Sequence, residues 1–261
     1  MRVLVACEYS GAVRDSFLAL GHEAVSCDLL PTDAPGPHYQ GDVTNLLEGW
    51  KPVVCAGDML ECEECEEPFC PEHGKHYGDC HCFGPTDDSL EYTEKDGILF
   101  ARPLDSPHWD LMICHPPCTY LTSAGLHWNK RRPERAVLTE EALQFIKVLL
   151  DAPIAGIALE NPVGCISSRI RKPDQIIQPY NFGADASKAT CLWLKGLPLL
   201  TPTERFMGRT VEVNGKKVER FSNQTDSGQN NLPPSSDRWK LRSATYPGIA
   251  HAMASQWGGQ V

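Results

Sequence analysis

A short apolar run, Leu111–Cys114, is followed almost at once by two prolines and a cysteine, and this combination restricts the fold more than any other stretch. Four apolar residues in succession are typical of a strand buried on both faces, as in a parallel sheet. Pro116 and Pro117 would end the strand and stiffen the turn. Cys118 is therefore expected just beyond a strand's carboxyl end, the edge at which open α/β sheets bind ligands. A thiolate held there is a candidate covalent nucleophile; the alternative is a buried structural cysteine.

Similar apolar runs alternate with stretches of helical spacing along the chain. Strands are predicted at 2–6, 24–27, 110–113, 154–159 and 191–194, and helices at 12–20 and 247–257 and after Thr139, as an N-cap. Alternating strands and helices predict an α/β fold with a doubly wound, mostly parallel sheet. Three of these strands end in residues able to do chemistry, which are Asp28, Cys118 and Glu160.

The composition fits one main domain with elaborations, since the chain has 261 residues of which 41% are hydrophobic. No segment is apolar and long enough to span a membrane, and the first residues resemble a strand and not a signal peptide. We therefore expect a soluble, cytoplasmic protein. The net charge of −10 argues against a generally basic surface for nucleic acid but leaves room for a local basic face.

Residues 51–107 differ in composition from the rest, because cysteine, histidine, glutamate and glycine dominate there. An Asp96-Gly97 turn between strand-like arms predicts a hairpin. The Cys-x2-Cys and Cys-x2-His spacings are those of tetrahedral zinc pairs, and in a cytosolic chain such a cluster indicates metal and not disulfides. The candidate ligands are Cys62, Cys65, Cys70, His73, His76, Cys80 and Cys82.

These seven candidates are too many for one zinc ion and one too few for two complete sites. One site would use Cys62, Cys65, Cys70 and His73, with the remaining three forming a second site. Alternatively, the two later cysteines would replace Cys70 and His73 in an all-thiolate site. In every case the ligands would be structural, and we expect one or two zinc ions.

Two further segments carry cations that could contact phosphates. The loop after Cys118 contains Lys130, Arg131, Arg132 and Arg135, together with Trp128, which would either stack on a base or simply pack. The segment 201–237 has an Asn-Gly hairpin signal and five basic residues, which are Arg205, Arg209, Lys216, Lys217 and Arg220. An ordinary solvated surface is the alternative interpretation of the loop.

Seven short motifs follow one another along the chain, most of them at a predicted strand end or helix start. They are Val5-Ala-Cys-Glu-Tyr-Ser-Gly11, Asp28, Gly41-Asp42-Val43-Thr44, Pro116-Pro117-Cys118, Glu160-Asn161-Pro162, Phe182-Gly183 through Thr190, and Tyr246-Pro247-Gly248-Ile249. In this order they resemble the motifs of DNA cytosine carbon-5 methyltransferases, in a compact form of the kind carried by phages. The fourth resembles the catalytic Pro-Cys motif and the fifth the Glu-Asn-Val motif. The first resembles the cofactor-binding motif but has fewer glycines.

The resemblance implies a Rossmann-like fold that transfers a methyl group from S-adenosylmethionine to carbon 5 of a cytosine flipped out of DNA. Cys118 would attack carbon 6, and Glu160 would hold the ring nitrogen N3 and the amino group. Lys188 would stand in for the first arginine of the family's Arg-x-Arg pair, while Thr190 replaces the second. The implied cofactor contacts are Cys7, Glu8, Tyr9, Ser10, Gly11, Asp28, Leu29, Asp42, Val43, His115, Pro117, Gly248 and Ile249.

The implied organisation is a methyltransferase domain of residues 1–50, 108–200 and 238–261, a zinc-binding insertion at 51–107 and a target-recognition segment at 201–237. Because that segment is short, we expect a short or loosely read target sequence. The resemblance further implies a monomer whose partner is DNA, in a phage-infected or prophage-bearing bacterial cell.

Three other functions remain open from the sequence. Amino-group methyltransferases carry Asp or Asn, two prolines and Tyr or Phe at the same strand end, where this chain has His115-Pro-Pro-Cys118. The same chemistry on a free nucleotide or RNA is a second alternative. A catalytically silent binding module on this fold is the third.

Overall fold

The computed structural model describes residues 1–47, 51–52, 60–61, 68–70, 75–76, 90–95, 98–103, 109–235 and 238–259. The chain divides into two compact units, of which the first comprises Met1–Val43 with Trp109–Val261 and the second Thr44–His108. The predicted insertion lies within the second unit, and the predicted recognition segment lies within the first.

The strands within the described ranges are β1 (Arg2–Ala6), β2 (Glu23–Asp28), β3 (His38–Gln40), β4 (Lys51–Pro52), β5 (Leu60–Glu61), β6 (Pro68–Cys70), β7 (Lys75–His76), β8 (Leu90–Lys95), β9 (Ile98–Pro103), β10 (Leu111–Cys114), β11 (Gly156–Pro162), β12 (Gln175–Ile177), β13 (Thr190–Lys195), β14 (Arg209–Val213) and β15 (Lys216–Arg220). The helices are α1 (Ala12–Ala19), α2 (Ser123–Leu126), α3 (Pro133–Leu150), α4 (Ile166–Arg169), α5 (Arg238–Ser243) and α6 (Pro247–Trp257). Short 3₁₀ helices cover Val43–Leu46, His127–Lys130 and Pro179–Asn181. None of the helices in the described residues is long and apolar enough to cross a membrane.

The first unit is built on a seven-stranded sheet with the order β12-β13-β11-β10-β1-β2-β3. The five strands from β11 to β3 run parallel, whereas β13 is antiparallel to both of its neighbours. The predicted mostly parallel α/β sheet is thus confirmed, and it is compatible with a Rossmann-like fold. The chain leaves β1 for β2 on one side and later returns to β10 on the other. The carboxyl ends of β1 and β10 therefore flank a topological switch point, where such sheets bind ligands.

Burial of the central strands explains why their sequences are uniformly apolar. Val3–Ala6 on β1 and all four residues of β10 have no exposed surface. Helix α6 packs against α1 and buries Ile249, Met253 and Trp257, the apolar positions that its helical spacing predicts. The helix predicted at 12–20 is also confirmed, since α1 covers Ala12–Ala19, and Gly21 just beyond it has a φ of +82°.

The start predicted for the long helix is wrong. Helix α3 begins at Pro133, whose fixed φ favours the first helical position, and Thr139 lies inside it. The Thr139 hydroxyl is buried, 3.2 Å from Tyr120 O, and accepts a hydrogen bond of 2.9 Å from Asn129 Nδ2. Thr139 therefore ties the helix to the preceding loop, and does not cap it.

The second unit contains two small antiparallel sheets in the orders β4-β9-β8 and β5-β6-β7. Strands β8 and β9 pair with Lys95 opposite Ile98, so the predicted hairpin is confirmed, although its turn residues lie outside the described ones. Cys70 ends β6 and His76 ends β7, and these two strands are adjacent. The other predicted zinc ligands, Cys62, Cys65, His73, Cys80 and Cys82, lie outside the described residues.

Candidate active site

Three predicted site residues, Cys7, His115 and Glu160, lie side by side at the ends of neighbouring strands of the main sheet. The register pairs Ala6 on β1 with Cys114 on β10, and Cys114 with Leu159 on β11. His115 therefore follows directly beside Glu160, and its backbone N–H donates a hydrogen bond of 2.9 Å to Ala6 O. A parallel register thus assembles the site from residues distant in sequence.

His115 and Glu160 form a largely buried pair. The separation between His115 Nδ1 and Glu160 Oε2 is 3.2 Å, and the two side chains are 13% and 12% exposed. Burial alone lowers the pKa of His115, but the contact with Glu160 and the charges of Glu160 and Glu8 outweigh burial and Lys188 and raise it above its ordinary value. For Glu160, burial raises the pKa, but the contact with His115 and the charges of His115 and Lys188 lower it overall.

Several buried polar atoms at this pair have no hydrogen-bond partner among the described residues. They are His115 Nε2, Glu160 Oε2 and Asn161 Oδ1. Glu160 Oε2 lies at ion-pair distance from His115, but the two are not aligned as a hydrogen bond. An unpaired buried polar atom costs about 1–3 kcal/mol, so a ligand with complementary polar groups would be stabilised here.

Asn161 joins the loop that carries Cys118 to β11. Asn161 is 2% exposed, and its Nδ2 donates a hydrogen bond of 2.9 Å to Pro116 O. Sequence reasoning placed Asn161 in a motif but gave it no role. The signal in the sequence that could have indicated a role for Asn161 is its position directly after Glu160, the acidic residue predicted at a strand end.

The loop containing Cys118 is further fastened to the loop after β11. Cys118 is half-buried, and its carbonyl accepts hydrogen bonds from Leu121 N and Thr122 N at 3.0 and 3.1 Å. Cys165 N in turn donates to Leu121 O at 2.8 Å. The loop that carries Cys118 and the loop that follows Glu160 are therefore joined by hydrogen bonds. These bonds fix the main chain of Cys118 relative to β11.

Lys188 lies close enough to this pair for its charge to lower the pKa of both His115 and Glu160. Its backbone N–H donates to Gln178 Oε1 at 3.0 Å, so a glutamine just beyond β12 positions the residue. Gln178 was missed in the sequence, where it is a single polar residue after a short apolar run. The structure thus brings Cys118's loop, Glu160 and Lys188 to one edge of the sheet.

The turn after β1 contains the predicted cofactor motif. Cys7 has a φ of +58°, which turns the chain so that Glu8 points back onto α1. The Glu8 carboxylate accepts hydrogen bonds from Val13 N at 2.8 Å and Arg14 N at 3.2 Å. Since Glu8 occupies donors that helix starts otherwise offer to phosphate, this turn does not suit a diphosphate cofactor.

The acidic residues after β2 and β3 lie near that turn. Burial raises the pKa of the Cys7 thiol to about 12, and the nearby charges of Asp28 and Asp42 add to this effect. Leu29, directly after Asp28, is 73% exposed. A cofactor without phosphate, with hydroxyl groups for a carboxylate, an apolar ring and a positive charge, fits these residues.

The remaining predicted cofactor residues have different surroundings. Gly248 is required by a close approach, since a Cβ atom there would lie 1.8 Å from Phe182 O. Ile249 and Val43 are buried, at 3% and 4% exposure, and Ile249 is part of the core. Pro117 is exposed beside Cys118, and His115 contacts Glu160.

The basic loop after Cys118 has two parts. Arg135 donates hydrogen bonds to Thr119 O at 2.6 Å and Gly125 O at 3.4 Å, so it holds the loop together. Arg131 and Arg132 are exposed, and their guanidinium groups lie 5.5 and 5.2 Å from the ring centre of Trp128. Together with the exposed Lys130, this group, the Trp128 cluster, is a cationic and aromatic surface.

The hairpin β14–β15 turns at Asn214-Gly215, as predicted, and both residues have positive φ, which is typical of a type I′ turn. Its arginines are largely matched by acids: Arg205 lies 2.5 Å from Glu219, and Arg209 pairs with Asp226. The hairpin is thus less basic than its composition suggests. Lys216 and Lys217 at the turn are exposed and make no ion pair within the described residues.

No protein-family model matches this chain, and no curated protein matches it either. Within the residues described, no group of three or more metal-ligating side chains is found. A function must therefore be inferred from the residues at the carboxyl edge of the sheet and from their geometry.

Proposed function

We propose that this protein transfers a methyl group from S-adenosylmethionine to carbon 5 of cytosine in DNA. The observation that supports this most is the bonded arrangement of two neighbouring strand ends, one with Cys118 and the other with Glu160 and Asn161. A thiol and a largely buried carboxyl group at adjacent strand ends suit a nucleophile and its acidic partner.

The chemistry of cytosine explains these residue types. Carbon 5 is a poor nucleophile until a thiolate adds to carbon 6 and converts the ring to an enamine. Glu160 would contact N3 and the amino group, because its carboxyl group can both accept and, when protonated, donate hydrogen bonds. Lys188 adds a positive charge beside it, which stabilises electron density that develops in the ring.

S-Adenosylmethionine would lie along the turn after β1. Asp28 would accept hydrogen bonds from the ribose, Leu29 would pack on the adenine, and Asp42 would lie near the same ring. When bound, this cofactor supplies the methyl group that carbon 5 receives. Glu8 orients the turn by capping α1, and its charge suits the positive sulfonium centre.

DNA is the substrate that the exposed cations favour. The Trp128 cluster combines positive charge with an aromatic ring, which suits phosphates and an unstacked base. The turn of the β14–β15 hairpin supplies two more lysines. A net charge of −10 means that contacts to DNA would be local to these surfaces.

Zinc is proposed for the second unit on the spacing of its cysteines and histidines. Two of the seven candidate ligands, Cys70 and His76, fall on the adjacent strands β6 and β7. Tetrahedral zinc bound there would stabilise the two small sheets of this unit, and it would have no part in methyl transfer.

The test is methyl transfer from labelled S-adenosylmethionine to DNA, followed by mass analysis of the nucleosides. Wild-type protein and Cys165→Ala, a control at another loop cysteine, should produce 5-methylcytosine. Cys118→Ala should produce none while still binding the cofactor. N4-Methylcytosine or N6-methyladenine as the product would overturn the proposal in favour of amino-group transfer, and product on RNA or nucleotides alone would change the substrate.

A further inference from the structure

His115 is the charged neighbour of Glu160, and its surroundings are unusual for a residue at a strand end. It lies between the fully buried β10 and the rigid Pro116-Pro117, with its Nδ1 3.2 Å from Glu160. Its Nε2 is buried and has no hydrogen-bond partner among the residues that the structure describes. Such an atom in a candidate active site indicates a group that meets a ligand or exchanges a proton.

The charged side chains near His115 lie on, or next to, three other strands. Glu8 follows β1, Glu160 belongs to β11, and Lys188 precedes β13. Two acids against one base favour the imidazolium form, and Glu160 is correspondingly favoured as a carboxylate. The contact and the surrounding charges therefore both favour a protonated histidine beside an ionised glutamate in the resting pair.

This resting state conflicts with the part that Glu160 has in the proposed reaction. Attack of a thiolate on carbon 6 places negative charge on the ring, and N3 must then receive a proton or a strong hydrogen bond. An ionised carboxylate cannot give one. A proton source must therefore lie within reach of Glu160, and His115 is the group in contact with it.

We propose that His115 is a positioning residue that stores the proton which Glu160 delivers to N3 of the cytosine, an inference that rests on the proposed function. The buried contact keeps the proton at the site without exchange through bulk solvent. It also lets Glu160 remain charged until the substrate arrives.

The proton path balances at each step. As the Cys118 sulfur bonds to carbon 6, the carbon 5–carbon 6 π electrons move to carbon 4–carbon 5, and those of carbon 4–N3 move to N3. As the substrate binds and turns the pair into line, Glu160 takes the Nδ1 proton of His115, and N3 then takes that proton from Glu160. Carbon 5 then bonds to the methyl group with the carbon 4–carbon 5 π electrons, the N3 lone pair restores the carbon 4–N3 π bond, and the methyl–sulfur bond of the cofactor breaks with its electron pair left on sulfur. Water removes the carbon-5 proton, the electrons of that bond form the carbon 5–carbon 6 π bond, and the bond from carbon 6 to Cys118 breaks to return the thiolate. N3 then returns its proton through Glu160 to His115.

The first test is the pH dependence of single-turnover methyl transfer by wild-type protein and His115→Gln. The wild-type rate should fall as pH rises through the pKa of the pair, because His115 then loses its proton. The rate of His115→Gln should be lower by about 10²–10⁴-fold at neutral pH, and the deficit should shrink at acidic pH, where solvent protonates Glu160. His251→Asn, on an exposed histidine of α6, should match the wild type.

Each outcome separates this inference from the function on which it rests. If wild-type protein makes no 5-methylcytosine, the proposed function fails and the inference falls with it. If wild-type protein is active and His115→Gln keeps its rate, or loses the same factor at every pH, only the inference is overturned.

A second measurement does not depend on activity. The imidazole of His115 can be titrated by nitrogen-15 NMR, its signals being identified by their loss in His115→Gln. The wild-type pKa should lie above the ordinary value of about 6.5 and should fall in Glu160→Gln, because the negative charge beside the ring is gone. A pKa that Glu160→Gln leaves unchanged would contradict the coupling.

Discussion

Gly164 lies where the two loops of the candidate site meet, and the site depends on its lack of a side chain. A Cβ atom at this position would lie 2.0 Å from Leu121 O. Gly164→Ala should therefore push apart the loops that carry Cys118 and follow Glu160, and displacement by about 1 Å typically costs about 100-fold in rate. Methyl transfer should fall by that order, while cofactor binding should change little.

The control for this substitution is Gly259→Ala, since nothing lies within 4 Å of a Cβ atom there. Its activity should equal that of the wild type. Full activity of Gly164→Ala would show that the bonded loops do not determine the geometry of the site.

Cys7 and Cys118 are both half-buried thiols at the same edge of the sheet, and they should differ in reactivity. Because burial and two nearby carboxylates raise the pKa of Cys7 to about 12, only about one molecule in 10⁴ carries its thiolate at pH 8. Iodoacetamide at that pH should alkylate Cys118 before Cys7, as measured by peptide mass spectrometry. Earlier modification of Cys7 would contradict the surroundings assigned to it.

Residues also show where sequence patterns stop being informative. Arg14 lies in the amphipathic helix α1, where an arginine is expected at the surface, yet it is fully buried. Its guanidinium donates to Ala34 O at 3.2 Å and Pro35 O at 3.0 Å, in the loop after Asp28. Helical spacing cannot reveal this, because the carbonyls that satisfy the charge belong to an irregular loop.

At the scale of elements, the predictable parts are those governed by periodic burial. Strands β1, β10 and β11 and helices α1 and α6 follow from apolar spacing, and both Asn-Gly and Asp-Gly hairpins follow from turn chemistry. The short strands β3 and β12 were missed, because three residues carry too little periodicity. The contact between His115 and Glu160 depends on register between parallel strands, which no local pattern encodes.

The 3₁₀ helix that bears Trp128, with the arginines after it, is the element expected to hold DNA. Replacing both Arg131 and Arg132 with alanine should weaken binding several-fold and reduce the salt dependence by about one phosphate contact per arginine. Replacing both Arg169 and Arg171 with alanine is the matched control, because these two arginines are paired with Glu140 and Asp174. Fluorescence anisotropy at several salt concentrations measures both quantities; equal effects of the two variants would rule out the Trp128 cluster as the DNA-binding surface.

Zinc is proposed for the second unit, whose small sheets include β6 and β7. Purified protein should contain one or two zinc ions per chain, measured by inductively coupled plasma mass spectrometry. Removal with a chelator should unfold the second unit, because metal binding and folding of such small sheets are coupled. Cys62→Ser with Cys65→Ser should lower the zinc content, and undiminished zinc in that variant would exclude this pair as ligands.

For the whole molecule, a chain with a net charge of −10 would have to concentrate its attraction for DNA at the edge where the proposed chemistry occurs. The sheet would allow this, since Glu160 lies near the end of β11, and Cys118, Lys188 and the Trp128 cluster belong to segments adjoining the strands on the same side of the switch point. The residues proposed to bind the cofactor lie on the other side, after β1 and β2. Substrate and methyl donor would therefore meet above β10 and β1.

The most direct test is to trap the covalent adduct with DNA that contains 5-fluorocytosine. After methyl transfer, carbon 5 would carry fluorine instead of a removable proton, so the bond from Cys118 to carbon 6 would persist. With S-adenosylmethionine, the account predicts a stable protein–DNA complex whose cross-linked peptide contains Cys118 and which Cys118→Ala does not form. An enzyme that methylates cytosine at carbon 5 but yields no adduct, or an adduct at another cysteine, would contradict it.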